Sequence, residues 1–153
     1  MLAAIRGPGQ DFPVLLHIVG ATVVFGALLA SVVSIAFARG EVRLFRVGYF
    51  SLLLVGVPAL ILMRLSGQWI YQKQRWDDVP DKFHPTWLSI GFVVADWGAL
   101  VLLVALVLGG IGLRRLRRGD AKGATLLKAT TVLSLVLIVG YVIAVWAMTG
   151  KPA

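Results

Sequence analysis

The sequence predicts an all-α fold, an integral membrane antiparallel four-helix bundle, and three observations carry that prediction. Of 153 residues, 59% are apolar and only 14% charged, with a mean hydropathy of +0.89. A soluble domain averages about 45–50% apolar and about 25% charged. Four nearly uncharged stretches are each long enough to cross about 30 Å of hydrocarbon as a helix. Lys and Arg also gather on one side of those stretches, as they do in the cytoplasmic loops of membrane proteins.

The first span, 14–38, has no charged residue; Pro13 suits the first turn of a helix and Gly40 its end. Its apolar run is too long for the core of a signal peptide and no small-x-small cleavage site follows, so it is expected to stay as a spanning helix. The second, 47–70, is interrupted by Pro58, where a kink is expected, and by one charge, Arg64. The third, 86–113, follows Pro85 and holds one charge, Asp96. The fourth, 129–148, holds none. All four form a single transmembrane domain over 1–153. No internal repeat is visible.

Charge sets the expected orientation. Loops 39–46 and 114–128 hold nine Lys and Arg, whereas the opposite side holds Arg6, Lys73, Arg75, Lys82 and Lys151, diluted by Asp11, Asp77, Asp78 and Asp81. The positive-inside rule then makes the basic loops cytoplasmic, with both termini and the 71–85 loop outside a bacterial cytoplasmic membrane. The run from Arg114 is read as a topology determinant rather than as a phospholipid or nucleic-acid patch, despite a net charge of +8. Lipid is the expected partner, with other membrane subunits or a second copy of the chain; nucleic acid is not. Without cysteine there is no disulfide, thiolate metal site or cysteine nucleophile. No phosphate loop, catalytic triad or HExxH is present, so the reading leans away from an enzyme.

Small residues Gly20, Ala27, Ser31, Ser34 and Ala38 share one face of the first helix, which is expected to look into the bundle. Trp69, Tyr71, Trp76, Trp87 and Trp146 fall near the outer boundary, where an aromatic belt accounts for them.

The informative residues are polar ones inside the spans. Arg64 and Asp96 lie at depths of about 9 and 15 Å by helical rise, within reach of each other through the long Arg side chain, and both are expected to face the interior. The alternative is a simple interhelical clamp with Arg64 reaching outward. An outward-facing polar pocket is expected from Arg64, Asp96, Tyr141, Gln68 and Ser89, with His17 beside them. Thr130, Ser134, Tyr141 and Met148 form a stripe on the fourth helix. His17 and His84, both on the outer side, are candidate ligands of a haem iron, with Arg64 or Lys82 for propionates. A copper site through His17, His84, Met63 and Met148 has less behind it, because no closely spaced His or Met cluster exists.

The stretch Leu15-Leu16-His17-Ile18-Val19-Gly20-Ala21 with Phe25-Gly26 resembles the opening helix of copper-resistance-D-like small bacterial membrane proteins. Pro85-Thr86-Trp87-Leu88 with Ala95-Asp96 is similar to their third helix, and Trp146-Ala147-Met148 with Lys151-Pro152 to their close. Some distant proteins with a similar His helix, the HemJ-type protoporphyrinogen oxidases, are haem-associated, and the resemblance implies His17 as a ligand. The remainder of that pattern has no counterpart here, so the enzymatic activity is not implied. Three functions follow: an accessory or assembly protein with an outward-facing polar site; a redox protein holding haem b or quinone through His17; and a small proton-coupled transporter using Asp96.

Overall fold

The computed structural model describes residues 11–150, the side chain of Asp81 excepted. Arg6, Lys151 and Pro152, which enter the orientation count and the closing motif, lie outside the described residues. Four helices long and apolar enough to cross a membrane make up the chain: α1 (Asp11–Ala36), α2 (Val42–Lys73), α3 (Thr86–Arg117) and α4 (Lys122–Gly150). The protein is a multi-pass membrane bundle. Two short 3₁₀ turns, Trp76–Asp78 and Asp81–Phe83, fill the longest connection. That connection lies at what we term the long-loop end; the Arg-rich connections form the basic end.

Three helices, α2 to α4, outrun their predicted spans, because hydrocarbon thickness sets a span whereas capping sets a helix; α1 starts three residues before its predicted span and ends two residues short of it. After Ala36 the chain turns through left-handed Arg39 and Gly40 (φ +40° and +95°). At the α3–α4 turn, Gly119 (φ +79°) and the bond from Asp120 N–H to the Arg115 carbonyl close α3. Asp120 Oδ1 then accepts the Lys122 N–H at 2.9 Å and opens α4 seven residues before the fourth predicted span.

Pro58 is accommodated by a change of helix type. Ahead of it, Ser51–Gly56 forms a π-helical segment in which the Val57 N–H reaches back to the Leu52 carbonyl. A proline has no N–H to give and its ring crowds the carbonyl four residues earlier, so one wide turn accommodates what a regular helix would not. The Ser51 hydroxyl occupies this turn, donating to the Gly48 and Ala27 carbonyls at 2.8 and 3.3 Å.

Small residues set how closely the helices approach, as the first helix's face predicts. Gly20, Ala27, Ser31 and Ala38 are buried; Ser34 is half-buried. A Cβ on Gly20 would meet the Met63 backbone nitrogen at 2.8 Å, so α1 and α2 lie backbone to backbone there. α3 and α4 do the same at the basic end, where a Cβ on Gly123 would sit 2.5 Å from the Gly112 carbonyl oxygen. Between these contacts Val24, Leu28, Leu52, Leu102, Leu137 and Tyr141 form the middle of the core. A second cluster, Ile35, Ala38, Phe45, Leu113 and Leu127, closes the basic end.

One pair departs from close packing. Near the basic end, Tyr49 of α2 lies against Gly109 and Gly110 of α3. Beyond the π segment, Val57–Lys73 makes scarcely any close backbone approach to α3, and this half of α2 leans instead on α1. The separation leaves a cleft at the long-loop end.

Candidate functional site

The cleft opens into a cavity of about 260 Å³ among all four helices, roughly twenty times what a single water requires. Its polar lining is His17 of α1, Arg64 of α2 and Gln74 just beyond α2. Tyr71, Trp76, Trp87 and Phe92 supply aromatic walls, and Met63 and Met148 supply flexible thioethers. α2 and α3 present these residues at helical spacing, and α4 contributes Met148 alone. On α2 the stripe runs Met63, Gly67, Ile70, Gln74, and on α3 it runs Leu88, Gly91, Ala95.

His17 is held in one orientation. Its Nδ1 lies 2.9 Å from the Met63 carbonyl oxygen. A carbonyl only accepts, so Nδ1 carries the proton and donates, and in the neutral ring Nε2 keeps its lone pair. Gly67 makes room for the ring: a Cβ there would come within 3.2 Å of His17 Nδ1 and Cε1. The arrangement is that of an imidazole braced through one nitrogen so that the other can accept a proton or coordinate.

Arg64 and Asp96 form the ion pair that helical rise predicts, with Arg64 Nη2 2.9 Å from Asp96 Oδ1. The Arg64 guanidinium also lies 5.2 Å from the centre of the Phe92 ring. Contrary to expectation the pair does not face the interior. Its side chains are 39% and 59% exposed, because it crosses the gap where α2 and α3 separate, like a strap over the mouth of the cleft. Arg64 lines the cavity and Asp96 holds it from outside.

Other expectations need correction. Tyr141 does not join His17 and Arg64: it lies two turns inward of Met148, about 10 Å by helical rise, packed in the apolar core with Val24, Leu28 and Leu52. Depth estimated along one helix does not reveal that its neighbours have already closed at that level. Gln68 is half-buried and Ser89 exposed, and neither lines the cavity. His84 is a loop residue. Its Nε2 lies 3.2 Å from the Trp76 carbonyl and 3.0 Å from that of Val79, so that nitrogen donates to backbone and is not available to a metal. Tyr71 and Trp76 stack edge-on against the His84 ring.

Two imidazoles therefore do not meet across one iron. Among the described residues no group of three or more His, Cys, Asp or Glu has metal-binding proximity. The aromatic belt is also more than a belt, since Tyr71, Trp76 and Trp87 turn inward as cavity wall, with Trp76 and Trp87 edge to face at 6.1 Å. Gly67, Ile70 and Gln74 also line the cavity, and the signal for them in the sequence is the helical stripe that they form with Met63.

No family model, curated protein or solved structure matches the chain.

Proposed function

We propose that this protein is a membrane-embedded accessory protein that binds an apolar, ring-bearing small molecule of the quinone or quinol class at the long-loop end, with His17 as the polar anchor. One observation carries the reading: a cavity with aromatic and thioether walls holds a braced imidazole and a guanidinium at one level. Largely apolar clefts with a few placed polar groups are the usual form of small-molecule sites. The His17 Nε2 lone pair accepts a hydrogen bond from a ring hydroxyl, while Arg64 donates to a ring oxygen. The open side between α2 and α3 gives an apolar tail a route toward lipid.

The haem reading has less support, because His84 uses Nε2 on backbone carbonyls and leaves His17 as the single imidazole of the cavity. Proton-coupled transport through Asp96 has less support too, because the carboxylate is engaged by Arg64. An assembly protein without a ligand would have its polar groups satisfy one another and fill the space. By the positive-inside rule the cavity would face the exterior of a bacterial cytoplasmic membrane.

The test is binding of a short-chain quinone and its quinol to protein in nanodiscs, followed by quenching of Trp76 and Trp87 fluorescence. The proposal expects saturable quenching that His17→Ala weakens about tenfold or more, with the quinol affected more than the quinone. A colourless preparation that shows no saturable quenching by either form would overturn it, and a Soret band lost in His17→Ala would replace it with the haem reading.

A further inference from the structure

At the basic end a second recess, of about 550 Å³, lies between α2 and α3 and is lined by Tyr49, Gly110, Leu113, Arg114, Arg117 and Arg118. We propose that it binds the phosphate of an anionic phospholipid. The three arginines recur at i, i+3 and i+4, which puts them on one face of the last turns of α3. Arg115 points elsewhere, toward Asp120 at 4.0 Å. Among the described residues, Arg114, Arg117 and Arg118 have no carboxylate within ion-pair distance, and no acidic residue lines the recess where these three positive charges meet.

Tyr49 forms the opposite wall. Gly109 and Gly110 let its ring lie directly on α3: a Cβ at 109 would meet Tyr49 Cδ2 at 2.9 Å, and one at 110 would meet the hydroxyl oxygen at 3.1 Å. No hydrogen bond engages that hydroxyl among the described residues, leaving a donor beside the guanidinium groups. Guanidinium forks match phosphate oxygens, and a phenolic O–H adds a directed contact. Toward the membrane from this rim, Phe50, Leu54, Val107 and Ile111 are exposed and apolar on the same two helices, which is the surface that acyl chains require. A basic pocket between spanning helices at the lipid boundary is a recurrent way of holding acidic head groups.

The alternative, that the arginines serve only to orient the chain, makes different predictions. Charges that set topology or attract lipid diffusely are interchangeable at one end of the bundle, whereas charges that build a site are not. The experiment is native mass spectrometry of detergent-purified protein titrated with phosphatidylglycerol or phosphatidylcholine. Wild type is compared with Arg114→Gln/Arg117→Gln/Arg118→Gln and with a control of equal charge loss, Arg39→Gln/Arg43→Gln/Lys122→Gln. The recess variant is expected to lose phosphatidylglycerol affinity by roughly a hundredfold, with the control within about twofold and phosphatidylcholine weak throughout. Tyr49→Phe, which keeps the ring packed on the glycines, is expected to lose roughly fivefold and serves if the triple variant does not fold. Equal losses in recess and control variants, or no loss in either the triple variant or Tyr49→Phe, would overturn the proposal. Displacement of the lipid by millimolar inorganic phosphate would overturn it as well, by making the recess a site for a free anion.

Discussion

Arg64 and Asp96 meet at 2.9 Å where α2 and α3 part at the long-loop end, so the ion pair bridges the mouth of the cleft and is not buried in a core. Each charge is the other's closest compensation in a lipid setting. Removing one leaves the survivor unpaired at the membrane. Arg64→Met or Asp96→Leu alone is expected to lower stability by about 1–3 kcal/mol, between the values typical of exposed and buried pairs. The double variant should cost less than the worse single one. A double-mutant cycle on Tm in nanodiscs checks this, and additive losses would mean that the two side chains do not interact.

The bond between His17 Nδ1–H and the Met63 carbonyl fixes a tautomer. Nitrogen-15 NMR of labelled protein should show the neutral ring in its Nδ1–H form and not in its Nε2–H form. Gly67→Ala places a methyl group 3.2 Å from the ring's Nδ1 and Cε1 and forces the imidazole to tilt. Ligand affinity should fall severalfold while Tm changes little, since only one side chain has to move. Unchanged quinol binding in Gly67→Ala would detach the anchor role from His17's orientation.

Glycines in this bundle divide sharply by what surrounds them. A Cβ at Gly123 would approach rigid backbone, the Gly112 carbonyl at 2.5 Å and the Leu116 nitrogen at 2.6 Å, whereas one at Gly26 would meet nothing within 4 Å. Gly123→Ala is expected to cost about 1–3 kcal/mol as α4 is pushed off α3. Gly26→Ala should be neutral or stabilising by up to about 1 kcal/mol through helix propensity. Thermal melts of the two variants side by side measure the contrast.

Orientation is accessible because the chain has no cysteine. Single cysteines at Lys73 and Arg118 lie at opposite ends of the bundle and should react with a membrane-impermeant thiol reagent from opposite sides, Lys73→Cys from outside. Reaction of Lys73→Cys from the cytoplasm would invert the assignment. Ser51 is unsuitable for labelling, because its hydroxyl is bonded into the π segment.

Much of the architecture is legible in one dimension. The span count follows from hydrocarbon thickness, and the meeting of Arg64 with Asp96 follows from rise per residue and side-chain length. What one dimension does not contain is which neighbouring helices close and which separate. Tyr141 has a plausible depth yet lies where Val24, Leu28 and Leu52 have already filled the space. Trp76 and Trp87 fit a belt by position, but the gap between α2 and α3 draws them inward. His84 is indistinguishable from a ligand until the fold of the 74–85 loop supplies the two carbonyls that its Nε2 serves.

The wide turn at Ser51–Gly56 also acts as an angular spacer. One residue more than a regular turn rotates everything downstream by about 100° around the helix axis. Met63, Arg64, Gly67 and Tyr71 owe their compass bearing to it, while the half of α2 that carries Tyr49 keeps its own. Deleting a single residue from this segment would barely alter hydropathy or length, and the chain would still insert as four helices. The long-loop half of α2 would then be turned by over a quarter of a circle against its neighbours. Insertion would survive such a deletion; alignment of the strap and of the imidazole's carbonyl partner would not.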